Sequence, residues 1–160
     1  MTVFEEPQLS TPDPRAAMFA YNQTLVDDFR ANSGKSTIGH FVGRQMMVLT
    51  TTGARTGTTR VTPLAYSVDD GNVVIVASMG GADKHPAWYL NLEANPTVTV
   101  EVGAEKYRAH ARITKGAERE RLYAQHADLH PSFHDYVTKT ARVIPVIVLE
   151  RLPEAGRTQG

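Results

Sequence analysis

A chain of 160 residues with 41% hydrophobic content suits one domain around one core, and 17 basic against 17 acidic side chains give no global reason to expect a nucleic-acid partner. The absence of cysteine excludes disulfides, thiolate catalysis and a cysteine-held zinc or iron–sulfur centre, so any redox chemistry has to be borrowed from a cofactor. The first residues carry no basic segment followed by an apolar one, and no apolar run approaches the roughly 18 residues of a membrane span, which points to the cytoplasm.

The polar ends, 1–13 and 153–160, read as mobile tails around a single domain over 14–152. Asp13-Pro14 is a helix start, and Met18, Tyr21, Leu25, Val26 and Phe29 recur at helical spacing until Gly34. The apolar face of this amphipathic helix reads first as a core cover; roofing a pocket or touching the inner face of the cell membrane are the alternatives. Residues 35–44 are loop-like. Segments 45–52, 60–68 and 72–78 then read as strands, with Asp69-Asp-Gly-Asn72 supplying the turn between the last two. Asp83 is expected to cap a helix over 84–95 that tolerates Pro86 in its first turn and closes at Asn95-Pro96. Segments 97–102 and 106–114 alternate as strands, 117–126 and 131–140 read as short helices, and 142–149 is a final buried strand. Six antiparallel strands with few helices predict a mainly β (α+β) fold, a small barrel rather than a doubly wound sheet.

The chemistry concentrates between residues 46 and 91. No carboxylate lies between Asp28 and Asp69, yet Arg30, Lys35, Arg44, Arg55 and Arg60 fall there, an excess that suits a phosphate or carboxylate ligand. Within Gly53-Ala-Arg-Thr-Gly57-Thr-Thr-Arg60 the glycines let backbone N–H groups approach an anion, threonine hydroxyls donate, and guanidinium forks grip in pairs. It is neither a Walker loop nor a dinucleotide fingerprint: the glycines are spaced differently, no lysine follows the second, and a strand comes next. A solvated hairpin turn is the bland alternative. His126, His130 and His134 are spaced by four, but Pro131 starts a new helix between them, so no metal site is expected and the rings should not share a face. His85 is expected at the surface, with the mouth of a pocket as the alternative.

Leu49-Thr-Thr-Thr-Gly-Ala-Arg-Thr-Gly57, Arg60-Val-Thr-Pro-Leu64, Ala77-Ser-Met-Gly-Gly-Ala82, Pro86-Ala-Trp-Tyr-Leu-Asn-Leu92 and Asn95-Pro96 resemble the deazaflavin-dependent nitroreductase family. The resemblance runs from about Met46 to Leu149 and includes Pro131-Ser-Phe-His-Asp-Tyr136 and Ile144-Pro-Val-Ile-Val148. These are split β-barrel reductases, similar in fold to pyridoxine-phosphate oxidases, that use reduced coenzyme F420 and occur mainly in mycobacteria and related actinobacteria.

The resemblance implies residue roles. Ala54, Arg55, Thr56, Arg60, Val61 and Thr62 would meet the phosphate-bearing tail; Val76, Ala77, Ser78 and Met79 would lie along the deazaflavin ring; Ala87, Trp88, Tyr89, Leu90, Asn91 and Phe133 would complete the cofactor site. For Trp88 and Tyr89 a place in the core is the stronger reading of the residues themselves. Hydride transfer to a quinone, nitro-aromatic or activated alkene follows, with Ser78 and Tyr136 as the catalytic candidates, the first to hydrogen-bond the ring or acceptor and the second to orient substrate or donate a proton. Three positions depart from the family's pattern: Phe133 and Ala65 stand where tyrosine is frequent, and Met79 where lysine is common, which sets bulky nitroimidazoles apart from simpler acceptors. A split-barrel oxidoreductase using flavin mononucleotide and a non-catalytic carrier of a deazaflavin or lipid-like ligand are the rival functions. The sequence leaves the oligomeric state open.

Overall fold

The computed structural model describes residues 13–153, so all but Asp13 and Pro153 of the two expected tails lie outside the described residues. Helix α1 (Pro14–Ala31) leads into strands β1 (Met46–Thr52), β2 (Thr59–Ala65), β3 (Ser67–Asp69) and β4 (Asn72–Val76), and then helix α2 (Ala87–Ala94). Strands β5 (Thr97–Val102) and β6 (Glu105–Ile113), helices α3 (Gly116–Leu129) and α4 (Ser132–Tyr136), and strand β7 (Val146–Arg151) complete the chain. One antiparallel sheet has the order β2-β1-β5-β6-β7-β4-β3.

That order explains why the sheet curls. Its two edges, β2 and β3, are separated in sequence by Tyr66 alone, so a flat sheet would have to stretch one residue across seven strands. The sheet instead rolls until its edges meet at Tyr66, giving a split barrel with peripheral helices. Here the expected count of six strands becomes seven: the segment read as one strand over 60–68 bends at Tyr66 and exchanges its partner, β1 for the first half and β4 for the second. Two other boundaries move. No side chain of Asp83 caps α2, which begins at Ala87 with Pro86 in the capping position, and the last strand starts at Val146, leaving Arg142 in the preceding loop.

Strands β1, β4 and β7 read as unbroken apolar runs because both of their faces are covered. Met47, Leu49, Val73, Ile75, Ile147 and Leu149 point inward, where Trp88, Tyr89 and Leu92 of α2 join them. Val74, Val76, Val146 and Val148 face outward beneath Leu122, Tyr123 and Ala127 of α3. Met46 and Val48 lie beneath Leu25, Val26 and Phe29 of α1, so that helix does cover a core.

Helix α3 also closes the β3 edge, whose unpaired carbonyls would otherwise offer a template for another strand. Gln125 Nε2 donates to the Val68 carbonyl at 2.9 Å, His130 Nε2 lies 2.9 Å from the Tyr66 carbonyl, and Arg121 pairs with Asp69 at 3.0 Å. His126 is fully buried, with Nδ1 2.9 Å from the Ser67 hydroxyl and Nε2 without a partner among the described residues. Its ring centroid is 4.9 Å from that of His130, so two of the three spaced histidines do share a face; among the described residues no cluster suited to a metal forms.

Burial, reinforced by neighbouring His130, pushes the His126 imidazole down to about 3 from 6.5. The unfolded chain therefore takes up a proton that the folded one refuses. This contribution to stability is complete above pH 6.5 and is lost as pH falls toward 3, at about 1.4 kcal/mol per unit. Urea unfolding at pH 7, 5.5 and 4.5 should show that slope, and His126→Gln, which keeps a partner for Ser67 but cannot titrate, should flatten it; parallel slopes would remove His126 as the cause.

Candidate active site

The β1–β2 hairpin ends in a glycine loop whose shape is set by its own backbone. Gly53 N–H donates to the Thr58 carbonyl at 2.7 Å, Gly57 N–H to the Gly53 carbonyl at 3.0 Å, and Gly57 takes φ +73°, a conformation that suits glycine. The Thr56 and Thr58 hydroxyls pair at 2.7 Å, while Ala54, Arg55 and Thr56 stay exposed. Asn91, buried on α2, locks the loop from behind: its Oδ1 accepts from the Ala54 N–H at 3.0 Å and its Nδ2 donates to the Thr51 hydroxyl at 3.2 Å. Asn91 thus spends its amide on holding the loop rather than on open space.

Pairing of β2 with β1 places Arg60 opposite Thr51 and Thr62 opposite Leu49, on one face, and Val61 opposite Thr50 on the other, where its side chain packs into the cluster under α1. The Arg60 guanidinium stacks over the Phe19 ring at 4.5 Å. Neither Arg55 nor Arg60 meets a carboxylate among the described residues, whereas Arg30, Arg112, Arg119, Arg121 and Arg151 each do. Arg30 therefore leaves the anion-binding set. Glu101 of β5 grips it at 2.9 and 2.7 Å, a partner 71 residues away that the carboxylate-free stretch concealed.

Beyond β4 the chain enters a tight turn. Ala77 and Ser78 are buried, and Met79, Gly80 and Gly81 follow with φ of +49°, +65° and +87°, a strained run for the non-glycine Met79. Any Cβ on Gly81 would come within 2.9 Å of the Lys139 Cβ and 3.2 Å of the Tyr136 carbonyl, so the turn presses against the end of α4. This contact brings the Ser78 segment to Tyr136. The Tyr136 ring is half-buried, edge-on to Phe133 at 4.9 Å, and Phe133 leans in turn on His126 at 4.6 Å.

Of the α2 residues, Ala87 and Leu90 are exposed while Trp88 and Tyr89 sit in the barrel core at 6% exposure each, the placement their side chains favour. His85 is half-buried rather than at the open surface. It packs on Tyr89 at 4.7 Å and lines a cavity of about 300 Å³ together with Lys115, Arg119, Glu120 and Val143. Sequence reasoning missed Arg142, whose guanidinium reaches the carbonyls of Ala77, Ser78 and Ala82 and the His85 ring from 57 to 65 residues away. The only local signal was a charged residue standing where a buried strand was expected to begin. Among the described residues no helix is long and apolar enough to cross a membrane.

A family model for F420H(2)-dependent quinone reductases matches residues 21–151. An F420H(2)-dependent quinone reductase of Mycobacterium tuberculosis is 35% identical over 128 residues, covering 77% of this chain and 85% of that protein. Among solved structures, an F420-H2 dependent reductase (FDR-A) matches with a TM-score of 0.63 and 42% identity over 67% of this chain and 95% of that one. The heme storage protein HutZ from Vibrio cholerae, with 14% identity and a TM-score of 0.54 over 83% of this chain and 92% of its own, shares the fold alone.

Proposed function

The chain belongs to the F420H(2)-dependent quinone reductase family, and we propose that its glycine loop 53–58 with Arg60 and Thr62 holds the coenzyme's phosphate-bearing tail while Val76, Ala77, Ser78 and Met79 carry the ring. The protein is an F420H2-dependent oxidoreductase with coenzyme F420 as cofactor and a small-molecule quinone as substrate. The observation that carries the residue assignment is the pair of arginines, Arg55 and Arg60, left without carboxylates among the described residues beside a loop that Asn91 holds in place. Guanidinium groups kept from intramolecular pairing are available for phosphate and carboxylate oxygens. Loop glycines and threonines add donors that need no rearrangement.

When bound, the reduced deazaflavin supplies a hydride to the acceptor. The protein's share is to hold donor and acceptor close, keep water out and manage one proton. Ser78 lies at the base of the turn with its hydroxyl unpaired among the described residues, and that hydroxyl is placed to hydrogen-bond the ring or the acceptor carbonyl. Tyr136, on the helix packed against the same turn, orients the acceptor or gives up a proton through its phenol. Phe133, which backs Tyr136, contributes shape and no proton.

Turnover of menadione with reduced coenzyme F420 tests this reading. Ser78→Ala and Tyr136→Phe should each lower kcat/KM by about 10-fold or more, the usual range for loss of one positioned donor. Wild-type kcat/KM in both variants would strip these residues of their roles.

A further inference from the structure

The Arg142 guanidinium makes four contacts with one short segment. Nε donates to the Ala82 carbonyl at 2.7 Å, Nη1 to His85 Nδ1 at 3.0 Å, and Nη2 to the carbonyls of Ala77 at 3.1 Å and Ser78 at 2.8 Å. No carboxylate is involved. The loop that carries Arg142 thus holds both ends of the strained Met79–Gly81 turn.

The peptide bonds here are trans, so each N–H points opposite to the carbonyl of its own peptide unit. With the Ala77 and Ser78 carbonyls drawn to one nitrogen of Arg142, the N–H groups of Ser78 and Met79 both point away from it, side by side. Neither has an acceptor among the described residues; the Ala77 N–H goes to Pro145, and the Gly81 and Ala82 N–H groups close the turn. A cation on the carbonyl side also polarises both peptides, which strengthens those two N–H groups as donors.

We propose that Arg142 is a positioning residue for the coenzyme: by holding the Ala77 and Ser78 carbonyls, it aims the Ser78 and Met79 N–H groups at a carbonyl acceptor on the edge of the deazaflavin ring. The inference rests on the placement of the ring along 76–79. It gives the left-handed Met79 a purpose, since its φ of +49° turns the chain back so that the Ala82 carbonyl reaches the same guanidinium. It also explains why the clamp is an arginine: a lysine ammonium has no planar fork with which to hold two carbonyls and two further acceptors.

Fluorescence titration with two probes tests it: oxidised coenzyme F420, and the 8-hydroxy-5-deazaflavin ring without phosphate or tail. Arg142→Ala should weaken both probes by a similar factor, about 10-fold or more, and erase the shift in the deazaflavin absorbance band on binding. Arg142→Lys should weaken both at least about 3-fold, and it carries the test if the alanine variant does not fold, as judged by circular dichroism. Arg55→Ala should weaken the full coenzyme alone. A folded Arg142 variant that binds the bare ring as wild type does, or gives the wild-type absorbance shift with the full coenzyme, overturns the proposal. Ser78→Trp separates the two levels. If it still binds the ring, the ring lies elsewhere and the site reading fails; if it abolishes binding while the Arg142 variants do not, only the role of Arg142 fails.

Discussion

Replacing Arg55 and Arg60 together by alanine is expected to weaken binding of coenzyme F420 by about 100-fold while leaving the melting temperature close to that of the wild type. A hydrogen bond to a charged group contributes roughly 1.5–3 kcal/mol, solvent exposure of the loop argues for the lower end, and two such losses sum to about 3 kcal/mol, or two decades in Kd. Stability should change little because neither side chain closes an ion pair among the described residues; Arg60 gives up only its stacking on Phe19, worth about 0.5–1 kcal/mol at an exposed site. Wild-type affinity should also fall as salt rises from 50 to 500 mM, and the double variant should lose most of that dependence. Calorimetry at two ionic strengths reads both effects. An unchanged Kd in the double variant would mean that the tail is held elsewhere.

Gly34→Ala is the substitution expected to cost the most stability. Gly34 ends α1 with φ +89°, its N–H reaching back to the Phe29 carbonyl at 2.8 Å. A Cβ built there would collide with the Cα of Gly103 and lie 2.5 Å from that residue's carbonyl carbon and oxygen. Gly103 is backbone in the tight β5–β6 turn, so no flexible side chain can move aside. Left-handed strain of about 1–2 kcal/mol and overpacking of about 1–3 kcal/mol together predict a loss of roughly 2–5 kcal/mol. Gly71→Ala is the control: its φ of +81° carries the strain, but nothing lies within 4 Å of the added carbon. Urea unfolding of the two variants should separate the terms; equal losses would mean that α1 and the β5–β6 turn do not approach so closely. The consequence reaches the active site, because α1 covers Val61 and supplies Phe19 beneath Arg60.

Both expectations depend on how far local pattern extends. Period-two alternation, Asp69-Asp70-Gly71 and the Gly53–Gly57 spacing place strands and turns because those signals sit in adjacent residues, where φ/ψ preferences and the two faces of a strand act directly. Trp88 and Tyr89 went to the core for the same reason: a large apolar area on a short helix beside a sheet is buried whatever the topology. The sequence ranges over 142–149 and 60–68 misled for the opposite reason. Apolar runs do not record where a strand bends or begins, and Tyr66 and Arg142 are positions where tertiary partners decide.

By itself, then, the sequence determined the mainly β class, the glycine loop with its cations, the absence of thiol chemistry and the family resemblance, all of them properties of composition and near neighbours. The tertiary structure alone decided that Arg30 is neutralised by Glu101, that Asn91 serves the loop, and that Arg142 commands the turn carrying Ser78. These contacts join residues remote in sequence, and only strand pairing and the packing of helices on the sheet bring them within the 3 Å or so that a hydrogen bond requires.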